Sequence, residues 1–128
     1  MTIFSKIAAG EIPSYKCAEN EQFYAFLDID PVTKGHTLVV PRKEVDYIFD
    51  MDDAHYLRLM AFSKRVAKAL KKVVPCERIG VAVVGLEVPH THVHLIPISE
   101  MKEMTFQHKV KLTDEEFKAL AQKVSEAL

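Results

Sequence analysis

The chain has 128 residues, which fits one domain, and its mix of 48% hydrophobic and 27% charged residues is that of a globular protein able to bury a real core. Seventeen Lys+Arg face eighteen Asp+Glu, for a net charge of −1; no block of like charge stands out, which argues against a nucleic-acid polymer as partner. Cys17 and Cys76 lie far apart and outside any Cys-x-x-Cys, which argues against a disulfide framework or a cysteine metal site and fits a reducing compartment. No apolar run approaches the roughly 20 residues of a membrane span, and the opening "MTIFSKIAAGEIP" is amphipathic and unlike a signal peptide. A cytoplasmic protein without a membrane segment is expected.

In chain order, "TIFSKIAAG" reads as a short helix with Thr2 as cap and Gly10 as stop. Pro13 then forces extended chain. "SYKCA" and "FYAFLD" read as strands, "DIDPVTKG" as a turn and "HTLVVP" as a third strand. "DDAHYLRLMAFSKRVAKALKKVV" is the clearest helix, with aspartates at its start, lysines at its end and Pro75 beyond. Its spacing predicts a buried face of Tyr56, Leu59, Met60, Ser63, Val66, Ala67, Leu70, Val73 and Val74. "RIGVAVVG" and "HTHVHLIPI" read as strands four and five. A last helix, over about 113–127, starts at a capping box of Thr113 and Glu116 and buries Phe117, Leu120, Ala121, Val124 and Leu128. The pattern predicts an α+β domain with a five-stranded antiparallel sheet, a long central helix, a short N-terminal helix and a C-terminal helix.

The chemistry concentrates in "EVPHTHVHLIPI", residues 87–98, where half of the six histidines occupy five positions. On a strand, residues two apart share a face, so His90, His92 and His94 are expected beside Ile96 and Ile98, with Thr91, Val93, Leu95 and Pro97 turned to a helix. Three readings follow. The histidines are solvated strand residues, which use Thr, Lys and Glu more readily. They ligate a metal, although three in a row at about 7 Å spacing strain that geometry. Or they carry nucleophilic and acid–base chemistry, for which a neutral imidazole beside imidazole donors is suited.

"HTHVHLIP" resembles the histidine triad motif. "IFSKIAAGEIPS" and "AFLDIDPVTKGHTLVVPRKEV" resemble that family's opening and its nucleotide-binding stretch. The resemblance runs from about residue 2 to 100, within a single domain of 1–128. It is to the nucleotide hydrolase and transferase branch that contains the nucleoside phosphoramidases.

The resemblance implies that His92 attacks the α-phosphorus of a purine nucleotide derivative, a nucleoside phosphoramidate or dinucleoside polyphosphate, and forms a nucleotidyl–histidine that water releases as nucleoside monophosphate. It implies that a backbone carbonyl fixes the tautomer of His92, that His90 and His94 flank it, and that His36 is a fourth active-site histidine. It implies that Asp28 binds the ribose hydroxyls, and that Ile3, Phe4, Ile7, Phe26 and Ile29 cover base and ribose. It further implies a homodimer joined through its sheets and no cofactor. His55 and His108 stand outside any motif and read as surface residues.

Two departures stand out. Many relatives hold a structural zinc with Cys-x-x-Cys and two histidines. Here Thr2, Ser5 and Glu44 occupy three of those positions and only His90 remains, so no metal is expected there. Many relatives also carry polar residues before the triad, where this chain has a shortened loop with Leu86, Glu87 and Pro89. A carboxylate near a phosphate is repulsive unless turned away, and Pro89 removes a backbone donor. A nucleotide-binding or protein-docking module of low turnover is therefore the second hypothesis, and a His-ligated metalloprotein the third.

Overall fold

The computed structural model describes residues 1–128. Five strands, β1 (Lys16–Glu19), β2 (Phe23–Leu27), β3 (Thr37–Pro41), β4 (Arg78–Ala82) and β5 (Val93–Ile98), form one sheet in the order β1-β2-β3-β5-β4. Every neighbouring pair is antiparallel. Three helices, α1 (Ile3–Ala8), α2 (Asp53–Val73) and α3 (Asp114–Glu126), complete the predicted α+β fold. Short 3-10 turns at Ile48–Asp50 and Met101–Met104 were not legible in the sequence.

The helix ends follow local chemistry. Thr2 Oγ1 accepts the Ser5 N–H to cap α1, and Asp52 accepts the His55 N–H to cap α2. At α3, Thr113 and Glu116 exchange side-chain and backbone bonds of 3.1 and 2.9 Å, the predicted capping box. No helix is long and apolar enough to cross a membrane.

The two faces of the sheet do different work. Phe23, Ala25 and Leu27 of β2, Val39 of β3 and Val93 and Leu95 of β5 point toward α2 and α3 and build the main core. The alternate residues Tyr24, Phe26, Leu38 and Val40 point the other way, where α1 adds Phe4, Ile7 and Ala8 in a smaller apolar cluster. His94 pairs with Leu38 across β3 and β5, so it emerges on this second face.

Three expectations about burial are corrected. The stripe of α2 centres on Leu59, Phe62, Val66, Ala69 and Leu70, with His55 and Ser63 also buried; Tyr56, Met60, Ala67 and Val73 sit at its margin. The helix is turned because Phe62 packs on Phe23 at 5.6 Å between ring centroids. For the same reason His55 is no surface residue: it is buried, stacked on Phe23 at 5.5 Å and 17°. Leu128 lies past the end of α3 and is exposed. The remainder of the α3 face is buried as expected, and Phe117 stacks on Tyr15 at 4.7 Å. Both cysteines are free, and burial pushes the Cys17 thiol up to about 12.

Leu59 is fully buried in the main core. Leu59→Ala is expected to lower unfolding stability by about 2–5 kcal/mol, read as a lower urea midpoint at unchanged slope.

Candidate active site

The sequence pattern placed three histidines on one strand face. The structure corrects this, because β5 begins only at Val93. His90 and His92 belong to the irregular segment before it. There Pro89 has no N–H to offer a ladder, the His90 N–H closes a tight turn on Val88 O at 2.8 Å, and the Thr91 N–H donates to Val45 O at 2.7 Å. The chain is pinned outside the sheet, and the three imidazoles take separate positions.

His90 is fully buried and points away from any solvent-facing site. One of its nitrogens, Nε2, lies 2.7 Å from the Pro41 carbonyl, which can only accept, so that nitrogen carries the proton. Nδ1 is then an acceptor and takes the Thr2 hydroxyl at 2.6 Å. Thr2 and Ser5 are in turn held by Glu44, which accepts the Thr2 N–H at 2.8 Å and bonds the Ser5 hydroxyl. These donors hold the Glu44 carboxyl below its usual range, the Ser5 hydroxyl most. The four positions at which relatives are expected to hold zinc thus meet in space as two hydroxyls, a carboxylate and one imidazole. Zinc sites are built from thiolates, imidazoles and carboxylates, and each of these groups already has a partner. The donor set does not fit a structural zinc.

Backbone partners fix the other protons as well. His92 Nδ1 lies 2.8 Å from the His90 carbonyl and must donate to it, which leaves Nε2 as an unprotonated lone pair. His36 follows Gly35, whose φ of +94° turns the chain into β3; a Cβ there would also meet Val74 Cγ2 at 2.9 Å. The buried His36 accepts the Val32 N–H on Nδ1 at 3.1 Å, so its Nε2 carries hydrogen. That hydrogen is donated to His94 Nδ1 at 2.9 Å. His94 therefore carries its own proton on Nε2. Its ring lies 4.9 Å from that of His92.

Burial is the first cause of a depressed basicity in each flanking imidazole. It holds His36 down at about 3 and His94 at about 4, with neighbouring positive charge adding to both. His90 is lowered as well, against the opposing effect of its bond to Pro41. All three are neutral at neutral pH. The 3.7 Å approach of Asp28 Oδ2 to His36 Nε2 is therefore a contact with a neutral ring and no ion pair. Asp28 stands just past β2, where its Oδ1 accepts the Asp30 N–H at 2.8 Å; burial raises its carboxyl above the usual range despite that bond.

Donor atoms of Asp28, His36 and His94 lie within 4.8 Å of one another. A metal on them would need the His36 Nε2 lone pair, and with it a proton on Nδ1, where the Val32 N–H already points. The cluster is hydrogen-bonded in a sense that opposes a cation.

The expected apolar residues separate into two groups. Phe4, Ile7 and Phe26 are buried together, with Phe4 at 4.8 Å from the His92 ring and 5.8 Å from Phe26. Ile3 and Ile29 are 51% and 76% exposed and belong to the surface. Leu86, 89% exposed, and Glu87 also face outward, as does His108. A cleft of about 390 Å³ between Val32–Lys34 and Lys102–Val110 contains none of the triad histidines. Sequence reasoning missed Phe106, whose ring lies 5.0 Å from His94, and Lys109, which bonds the Asp30 carbonyl at 3.3 Å. Both fall in an irregular segment beyond the motif, where no spacing rule would have marked them.

A fold of this topology with hydrogen-bonded histidines before and on its fourth-position strand is the arrangement of the histidine triad domain, and the family profile for the HIT domain matches residues 9–101. The chain belongs to the histidine triad family. It is 37% identical to a HIT-like protein of Borreliella burgdorferi, over 96% of this chain and 95% of that one. It is 39% identical to an adenosine 5'-monophosphoramidase of Saccharomyces cerevisiae, over 78% of this chain and 64% of that one. Among solved structures, a HIT-like protein from Bartonella henselae, described as involved in cell-cycle regulation, superposes with a TM-score of 0.85 at 31% identity. That match covers 99% of this chain and 96% of that one.

The depressed imidazoles predict a pH dependence. Each takes up a proton on unfolding, where its value returns to about 6.5. Their contribution is complete above pH 6.5 and is lost progressively as pH falls from 6.5 toward the folded values; the raised Asp28 acts in the opposite sense. The urea midpoint is expected to fall from pH 7 to pH 4.5, and a midpoint that rises over that interval would contradict the assignment of neutral buried histidines.

Proposed function

We propose that the protein is a nucleotide hydrolase or transferase that cleaves the α-phosphate linkage of purine nucleoside phosphoramidates or dinucleoside polyphosphates through His92. The observation that carries this reading is the bond from His92 Nδ1 to the His90 carbonyl, which presents Nε2 as a lone pair beside the His94 N–H. Nε2 attacks the α-phosphorus, and a phosphorus–nitrogen bond forms as the bond to the leaving group breaks. The His94 Nε2–H hydrogen-bonds the departing group and is oriented by the His36 Nε2–H on its other nitrogen, while the proton that the departing group needs comes from solvent. Water then attacks the nucleotidyl–histidine, gives one proton to solvent, and releases nucleoside monophosphate with the His92 lone pair restored.

His90 acts through its carbonyl and its burial as a positioning residue. Asp28 Oδ2, free of the bond that occupies Oδ1, accepts the ribose hydroxyls. Phe4, Ile7 and Phe26 form the apolar wall for base and ribose, with Ile3 and Ile29 at its rim. No metal or cofactor enters this chemistry. The relative named as an adenosine 5'-monophosphoramidase supports the choice of substrate class. The exposed Leu86 and Glu87 favour a second reading, in which phosphate contacts are few and the site binds nucleotide with slow turnover.

The decisive experiment is nucleoside monophosphate release from adenosine 5'-phosphoramidate. Wild type is expected to release AMP and to carry a nucleotidyl group on His92 by mass spectrometry. His92→Ala is expected to lose at least roughly a thousandfold in kcat while keeping its circular dichroism. Turnover of the variant at the wild-type rate would remove the mechanism; nucleotide binding without turnover in wild type would establish the second reading.

We also infer a homodimer. β4 is an edge strand with Val81 52% exposed, followed by Val84 at 55%, an apolar edge of the kind that pairs with a second chain. Sedimentation is expected to give twice the chain mass, and Val81→Arg to return it toward the monomer.

A further inference from the structure

One residue outside glycine has a positive φ: Phe106, at 62°. The left-handed conformation is unfavourable for a residue with a Cβ, and it persists only where the surroundings over-determine it. Here they do. Upstream, the 3-10 turn Met101–Met104 is locked by the Glu100–Glu103 capping box, and Met104 lies on Gly80 of β4 so closely that a Cβ there would meet Met104 Sδ at 2.7 Å. Downstream, the Val110 N–H donates to Pro31 O at 2.9 Å and Lys109 Nζ to Asp30 O at 3.3 Å. The chain from 105 to 110 is a strap tied at both ends.

The strained residue puts its ring against the reacting histidines. The Phe106 ring stands edge-on to His94 at 5.0 Å and 82°, and to His36 at 6.2 Å and 73°. His94 is thereby held among three rings, those of His92, His36 and Phe106. The strap also reaches Asp28, because Asp30, whose carbonyl Lys109 holds, is the residue whose N–H bonds Asp28 Oδ1. Phe106, Lys109 and Val110 lie beyond the segment matched by the family, which ends at residue 101.

We propose that Phe106 is a positioning residue for the reaction: its ring fixes the His94 imidazole with Nε2–H toward the substrate and walls the leaving-group side of the site, and the tied strap holds it there. This rests on the reading of His94 as hydrogen-bond donor to the departing group given above. The groups that face His94 are His92 from the segment before β5, His36 from the approach to β3, Asp28 from the end of β2 and Lys109 from the strap itself. Removing the ring admits water to His94 and leaves those charges in place.

Three variants test this. Phe106→Gly removes the ring together with the strain, since glycine adopts this φ freely, so loss of folding does not confound it. Phe106→Leu keeps apolar volume without an aromatic edge, and Phe106→Tyr keeps the ring. In the Gly variant kcat for AMP release is expected to fall roughly ten- to a hundredfold with KM within about twofold; Leu is expected to lie between, and Tyr to match wild type. In 15N spectra the His94 titration is expected to move in Phe106→Gly from about 4 upward toward 6.5. Turnover of Phe106→Gly within twofold of wild type overturns the proposal. If wild type releases no AMP, the catalytic reading fails by itself and the titration decides: an unmoved His94 then overturns the positioning role.

Discussion

A buried neutral imidazole has one donor and one acceptor; the structure satisfies both in His36 and His90 and leaves one nitrogen each of His92 and His94 open to the site. Two backbone groups set the protons of His36, His94 and His92. The Val32 N–H can only donate, so His36 passes a hydrogen to His94, whose own proton is left on the outer nitrogen. The His90 carbonyl can only accept, so His92 shows an unprotonated nitrogen. Had either group faced the other way, the nucleophile and the donor would have exchanged roles or cancelled. Burial reinforces the arrangement, since a second proton on His36 or His94 would be poorly solvated and would displace an existing bond.

The carbonyl that orients His92 is itself fixed from a distance. His90 is clamped between Pro41 of β3 and Thr2 at the cap of α1, and Glu44 ties Thr2 and Ser5 to the segment after β3. Where relatives are expected to use a metal, this chain uses a hydrogen-bonded cluster. The same tie seats α1, and α1 brings Phe4 against both His92 and Phe26. The apolar wall and the nucleophile therefore share one support. Local failure of that cluster would disturb nucleotide contacts and chemistry together, which distinguishes it from the main core on the opposite face of the sheet.

Much of this was legible in the chain. The helices announced themselves through caps and periodicity, from Asp52 to the lysines of α2 and from Thr113 to Glu116 in α3. The strands announced themselves through short aromatic and β-branched runs between turn residues, and the triad through its spacing. Less legible was which face each helix turns inward: His55 has no local mark of burial and is buried because Phe23 and Phe62 meet beneath it. The alternation His90-Thr91-His92-Val93-His94 was also misleading, because period-two spacing says which way side chains point only where a ladder exists, and Pro89 with the bonds to Val45 keeps the ladder from starting before Val93.

The sequence by itself determined the class of fold, its elements and their ends, and the residue types of the site, because caps, periodicity and turns are contacts between near neighbours in the chain. Only the tertiary structure decided the tautomers of His36, His92 and His94 and the union of Thr2, Ser5, Glu44 and His90. It also decided the turn of α2 on the sheet and the placement of Phe106 beside His94. Each of these is set by groups from segments far apart in sequence, such as Thr2 with His90 or His36 with His94, and no local pattern records which donor will face which acceptor once the sheet has closed.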